Sequence, residues 1–355
     1  MFDHRHYVPI LRWKEAERFA LRDLQDQLRS RMTPLAQLVP ESIAVGKRRP
    51  TVSQMLQKVA ADMAQHWGTR PLFVDRRCID AALRVGEHTH PLVYLAEQAR
   101  RTSVSMVPVT GLHRDSAYQT AVAGVVAEDR RGACLRLFRT DLVSPNLREE
   151  IFRVLDRLTS EPSRMDLVVD LQCFNGNCPS IDKVSSLLPE LRHWRTFSVA
   201  SGAFSRDLTQ FKTVGRHSLP RLDWQAWHQQ IEPSRTLIRK PTYGDYGVYH
   251  PIYTPPQFPN PSASIRYTTH EEWVIMKGQG VLNEGGPGPR QWPANAQLLC
   301  GMPEFCGATF SAGDAYIFDK AEHPHPTGSA RTWLQAGFSH HLTFVVRQIA
   351  SLFAT

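Results

Sequence analysis

The sequence predicts an α/β protein built as a (β/α)8, TIM-like barrel, with an open doubly wound parallel sheet as the alternative. Three observations lead there. Short runs rich in β-branched and aromatic residues alternate with longer segments of helical period, seven times before residue 240, the pattern of parallel βαβ units. Seven or eight such units in about 250 residues is the size of a closed barrel. No glycine-rich dinucleotide fingerprint follows the first run, where "LRWKEAE" stands, which disfavours a nucleotide-binding Rossmann domain.

Each element has its own signal. "HYVPIL" is a strand, and "KEAERFALRDLQDQLRSR" places Phe19, Leu21, Leu24 and Leu28 at helical spacing. "MTPLAQL" is the second strand, and "TVSQMLQKVAADMAQHW" the second helix, capped by Thr51 or Ser53. "PLFVD" then "PLVYLAEQARR", and "SMVPVT" then "SAYQTAVAGVVAEDRR", are the third and fourth units. "ACLRLFR" precedes "SPNLREEIFRVLDRLTS", which opens on a Ser-Pro start signal. "MDLVVDL" is the strongest buried strand, and "SIDKVSSLLPELRHW" after it reads as helical despite its proline, with a break there as the alternative. "TFSVA" and the helix "LDWQAWHQQI" form the seventh unit, and "TYGDYGVY" the eighth strand.

After residue 254 the rhythm changes. "PPQFPNPSAS" reads as a connector, "IRYTTHEEWVIMKG" as a strand or a short helix, "GGPGPRQWP" as a loop, and "ATFSAGDAYIFD" as a strand pair or a strand turning at Ala312-Gly313-Asp314. "SHHLTFVVRQIASLF" carries a helical stripe with Ser339 as N-cap. The expected division is a barrel over 1–253, an excursion over 254–338 covering the C-terminal face, and a closing helix over 339–355.

Composition bounds the function. The 355 residues are 42% hydrophobic and 21% charged, a globular balance. No apolar run reaches membrane-spanning length, so no membrane partner is expected. The start "MFDHRHYVPILRW" lacks the features of a signal peptide, and a cytoplasmic protein is the expectation. The net charge of +8 favours anionic partners, nucleic acid or phosphorylated small molecules; the basic run "GKRRP" at 46–50 reads as a solvated loop. The pairs Cys173/Cys178 and Cys300/Cys306 do not match zinc-knuckle spacing and read as reduced thiols. No GxSxG elbow, P-loop, CxxC pair or HExxH motif is present.

In a parallel barrel the C-terminal strand ends converge on one mouth. Those ends carry Arg12 and Lys14, Asp75 and Arg76, Thr110 and His113, Arg139, Asp170 and Gln172, and Ser198 and Ser201. The stretch "KPTYGDYGVYHPIY" adds Tyr243, Asp245, Tyr246 and His250, with Gly244 and Gly247 expected to bend the backbone at the rim. Asp75 and Asp170 each end an apolar run and need a partner: they could share a proton, hold a divalent metal, or pair with Arg12, Arg76 or Arg139. His340 and His341 fall in the first turn of the closing helix as read, where the helix dipole keeps them neutral and free N–H groups can bind phosphate. Asp75, Asp170, Asp245, His340 and His341 are thus the candidate catalytic groups. Arg12, Lys14, Arg76, Arg139, Gln172, Tyr243, Tyr246, His250, Arg266 and Tyr267 are the candidate ligand contacts. The competing reading is that polar strand ends only hold loops together.

"YVPILRWKEAERFAL", "YGDYGVYHP", "SIRYT", "FSAGDAYI", "TGSARTW" and "SHHLTFV", in this order and spacing, resemble the phage-type beta protein family of phage satellites, prophages and defence islands. The resemblance runs from residue 7 to about 349. It implies a barrel-like α/β fold and a setting in conflict between phage and host, where one member is associated with neutralising a neighbouring killer protein. The function so implied is antitoxin- or immunity-like, acting by binding a neighbouring toxin or defence protein, or nucleic acid. The alternative is an enzyme acting on a phosphate-bearing ligand at the mouth. Ala16 stands where family members often carry glycine, so the first turn is expected to run straight into the helix.

Overall fold

The computed structural model describes residues 2–40, 50–231, 237–255 and 260–354. Eight parallel strands close into a barrel: β1 (Tyr7–Arg12), β2 (Leu35–Gln37), β3 (Leu72–Asp75), β4 (Met106–Thr110), β5 (Cys134–Phe138), β6 (Asp166–Cys173), β7 (Thr196–Gly202) and β9 (Thr242–Asp245). β9 pairs with both β7 and β1, with Tyr7 level with Tyr243 and Pro9 with Asp245. This closure settles the barrel against the open sheet. The basic run at 46–50 lies mostly outside the described residues, as does part of the connector at 255–264.

Strand side chains alternate faces, and two cores result. Val8, Ile10, Leu35, Phe73, Val107, Val109, Cys134, Val168, Ala200 and Tyr246 pack inside the barrel. The other faces of the strands pack against the surrounding helices, and each large apolar side chain so buried contributes about 1.5–3 kcal/mol. The interior is tight at Gly244, where a Cβ would come within 2.9 Å of both Ala200 Cβ and Val8 O. Gly247 turns the chain with φ +63°, and a Cβ there would strike the Phe338 ring. Gly247 therefore bends the chain at the rim as expected, whereas Gly244 lies in register within β9 and serves close approach in the interior instead.

The helices follow their signals. α1 (Glu15–Arg22) begins directly after Lys14, with Ala16 buried in its first turn; α2 (Asp26–Arg29) takes the rest of the segment read as one helix. α3 (Val52–His66) is capped by Thr51, whose side chain and Gln54 form a capping box. α4 (Pro91–Arg101), α5 (Ser116–Asp129) and α6 (Leu147–Arg157) complete the middle units. α7 (Ile181–Leu187) stops before Pro189, and α8 (Leu222–Ile231) covers β9.

Three expectations after residue 200 are corrected. First, β8 (Gly215–Pro220) lies in a segment with no expected strand, and pairs antiparallel with β11 (Glu272–Lys277). β11 in turn pairs with β10 (Ile265–Thr268), so "IRYTTHEEWVIMKG" is a hairpin. Second, "AGDAYIFDKAE" forms helix α10 (Ala312–Glu322), capped by Ser311, rather than a strand; Ile317 and Ala321, four apart, face a small third core with Trp292 of α9 (Gln291–Cys300) and Trp333. Third, the last helix, α11, spans Ala330–Leu352 and is capped by Ser329 with Thr332, not by Ser339. His340 and His341 therefore lie mid-helix, away from any free N–H or dipole end.

Glu17 on α1 is fully buried, and neither carboxyl oxygen has a hydrogen-bond partner. Burial pushes its pKa up to about 7. The protonated form is the one the fold accommodates, so its contribution is complete below the ordinary carboxylate range and is lost as pH rises towards 7. Glu17→Gln should therefore gain stability relative to the parent between pH 5 and pH 8, by roughly 3 kcal/mol at one pKa unit per ~1.4 kcal/mol. Urea unfolding at both pH values measures it; an equal difference at the two would contradict the assignment.

Candidate functional site

Inside the mouth the organising group is Arg136, at the centre of β5. Alternation aims it into the barrel, where it is 1% exposed. Its Nε and Nη2 donate to Asp170 Oδ2 at 3.0 and 2.5 Å. Nη1 donates to Asp75 Oδ2 at 2.7 Å and to Gln37 Oε1 at 3.1 Å. Tyr246 O–H donates to Asp170 Oδ2 at 2.5 Å. The second oxygens are also held: Asp75 Oδ1 by Arg114 Nη2 at 2.7 Å and the Arg77 N–H at 2.8 Å, Asp170 Oδ1 by the Gln172 N–H at 2.9 Å. Burial alone would raise Asp75, but Arg114 and Arg136 hold it below the usual carboxylate range.

Asp75 and Asp170 do meet, as expected from their positions, but the cation between them is Arg136. Of the three partners anticipated for them, Arg12, Arg76 and Arg139, none takes that place. Arg12 Nη2 donates to the carbonyls of His250 and Ile252, and its guanidinium lies over the Tyr249 and Tyr253 rings. Lys14 lies over Tyr253. Arg139 bonds the Asn177 carbonyl, and His250 Nε2 sits 3.4 Å from Cys173 Sγ. Gln172 contributes through its backbone, at φ +56°. Among the described residues no group of three or more His, Cys, Asp or Glu is placed to hold a metal.

Asp245 and His341 form a separate cluster. Asp245 and Tyr243 point out of the barrel, on the opposite face of the chain from Tyr246, and α11 brings His341 to them. His341 Nε2 is 2.9 Å from Asp245 Oδ2, Tyr7 O–H donates to Asp245 Oδ1 at 2.5 Å, the Gly247 N–H adds 2.9 Å, and Thr268 Oγ1 is 2.8 Å from His341 Nδ1. Burial keeps His341 neutral. Burial also opposes charge on Asp245, but the donors from His341, Tyr7 and Gly247 overcome it and its pKa is lowered. Both residues are fully buried, so this cluster joins the wall to α11 rather than facing a ligand.

His340 belongs to a third group. Its Nε2 bonds Thr268 O at 2.7 Å and its Nδ1 is 2.9 Å from Asp314 Oδ2, while Tyr267 stacks on the ring at 3.7 Å and donates to Asp314 Oδ1. Arg266 donates to Val248 O and lies over Phe204 and Tyr249. The candidates thus divide among the mouth, the barrel wall and the excursion. Sequence reasoning missed Arg136, Arg114 and Gln37; the signal for Arg136 was an arginine at the centre of the apolar run "CLRLF".

Beside Arg136 the mouth opens into a pocket of about 300 Å³, lined by Arg76, Arg77, Arg114 and Arg136 with Asp115, Asp141, His113 and Tyr118 among others. Asp115 caps α5, and Asp141 accepts the Phe138 N–H and lies 3.2 Å from His113. Arg114 and Arg136 are neutralised by Asp75 and Asp170. Arg76 is not: it is 5% exposed, meets His90 and the Asp80 carbonyl, and has no ion pair among the described residues. Burial lowers its pKa. Arg77 lies over the Phe138 ring at 4.1 Å.

Fold and site together define a (β/α)8-barrel protein with an arginine-lined mouth braced by an internal arginine–aspartate network. The chain belongs to the Beta protein family, whose model matches residues 7–347. Comparison with curated proteins gives no match. Among the described residues no helix is long and apolar enough to cross a membrane.

Proposed function

We propose that the chain binds a phosphate-bearing ligand, a nucleotide or a nucleic-acid end, in the arginine-lined pocket at the barrel mouth. The observation that carries this reading is Arg76, a buried guanidinium lining the pocket that makes no ion pair among the described residues, the Asp115 carboxylate acting on it only from beyond contact distance. A buried charge is costly unless it is paired, and a phosphate would supply the pair with geometry that suits guanidinium. Arg77 and the N-terminal end of α5 add positive potential on the same wall. The reading favours binding over acid–base catalysis, because Asp75 and Asp170 are both engaged by Arg136, and Asp245 and His341 are sealed from solvent. In the antitoxin- or immunity-like role that the family resemblance implies, filling this pocket would be the recognition event.

Calorimetric titration with inorganic phosphate, AMP and adenosine tests the reading. Phosphate and AMP should bind, adenosine should not, and the double substitution Arg76→Ala/Arg77→Ala should weaken AMP by roughly tenfold or more, the worth of one charged hydrogen bond. Equal binding of AMP and adenosine, or a double variant that binds as the parent does, would reject it.

A further inference from the structure

A second pocket, of about 330 Å³, lies outside the barrel wall between α8, the segment leading into α7, and the outer faces of β7 and β9. Its character is opposite to that of the mouth. In a chain of net charge +8, no lysine or arginine among the described residues lines it, and Asp223 is the one carboxylate among them that does. Asp223 is 1% exposed; Tyr243 O–H donates to its Oδ2 at 3.2 Å, while its Oδ1 has no partner. Arg221, two residues earlier, gives Nη1 to Thr269 O, His270 O and Gln348 Oε1, and makes no ion pair with Asp223 among the described residues. Phe174, Trp227 and Tyr243 supply aromatic surface around the acid.

We propose that this pocket is a binding site for a small organic cation, an ammonium or guanidinium group carried on an apolar body. The charged head would complete the open oxygen of Asp223, and its stem or ring would pack on the aromatic walls, where a desolvated cation is also attracted to ring faces. The volume is at the lower end of ligand pockets, about 300 Å³, which limits the ligand to a small molecule. The groups facing Asp223 set its proton. Burial, then the neighbouring Asp245 on β9, push its pKa up to about 7, against the opposing charge of Arg221; the Tyr243 hydroxyl and, from the segment before α7, the Cys178 thiol are uncharged, both with raised pKa values. Cation binding would therefore release a proton from Asp223, and affinity should rise between pH 6 and pH 8.

The probes are 2-phenylethylamine and its neutral isostere 2-phenylethanol, titrated into the full-length protein and followed by ligand-observed NMR. The amine should bind at least about tenfold more tightly than the alcohol at pH 8, and the advantage should shrink at pH 6. Asp223→Asn should remove the preference while leaving phosphate binding at the mouth unchanged. Ala226→Phe, on the pocket-lining face of α8, should exclude both probes without touching the carboxyl. Absence of amine binding, equal affinity for the two probes, or an Asp223→Asn protein that keeps the preference would each overturn the proposal. If Asp223→Asn does not fold, the amine–alcohol comparison on the parent and the Ala226→Phe variant still decide it.

Discussion

Replacing Arg136 with leucine is expected to destabilise the protein by about 3–5 kcal/mol, the cost of stripping a buried ion pair of one partner. The guanidinium makes four contacts to Asp170, Asp75 and Gln37 and a fifth, at 3.1 Å, to the Tyr246 oxygen. Leucine fills part of the volume but leaves two carboxylates inside the barrel, of which only Asp75 keeps a cation, Arg114. The sign of the pH dependence follows. Asp75 is held low in the parent, so its contribution is present above the ordinary carboxylate range and lost as pH falls through the lowered value. In Arg136→Leu that depression is partly relieved and the Asp75 carboxyl gains a proton more easily, so the penalty should be smaller at pH 4 than at pH 8. Adding Asp170→Asn should recover part of the loss. Denaturant unfolding measures all three, and a penalty below about 1 kcal/mol, the worth of an exposed ion pair, would show that the network does not brace the mouth.

Asp245→Leu is the second large effect. It leaves the Tyr7 hydroxyl, the His341 ring N–H and the Gly247 amide without their common acceptor in a fully buried site. At about 1–3 kcal/mol for each unsatisfied group, and with Tyr7 and His341 free to bond each other across 3.2 Å, a net loss of about 3–5 kcal/mol is expected. Asp245→Asn keeps one acceptor and should cost less. Because the Asp245 pKa is lowered in the folded protein, its stabilisation is complete above the ordinary carboxylate range and fades in acid. The difference between parent and Asp245→Asn should therefore narrow as pH drops below about 4. Thermal unfolding across pH 3–7 checks this; a difference independent of pH would remove the carboxylate from the account.

Much of the barrel was legible in the sequence, because each barrel strand before residue 240 carries a run of apolar or β-branched residues and is followed by a helix start. Asp75 and Asp170 were legible as buried acids needing partners for the same reason. Their partner was not, because Arg136 sits within "CLRLF", a run whose apolar neighbours mask it, although alternation alone aims it inward. The start of α11 is ambiguous in the sequence because two serines offer caps: Ser339 precedes the apolar stripe, while Ser329 with Thr332 forms the capping box that is used. Gly337 and Trp333 between them weaken the helical signal. α10 reads locally as strand because Tyr316, Ile317 and Phe318 favour strands, and packing of Ile317 and Ala321 on the third core overrides that preference. β8 was invisible because its alternating, half-exposed residues resemble a loop until β11 is there to pair with it.

That pairing has a consequence for how the chain is made. β8 leaves the ribosome some fifty residues ahead of β11, its one sheet neighbour among the described residues. During synthesis its edge stays open, a template for stray association, until the later hairpin emerges and docks. A polypeptide cut short near residue 254 would keep every barrel strand yet carry that uncovered edge permanently. Protease resistance near 215–220 should accordingly appear only once translation has passed β11.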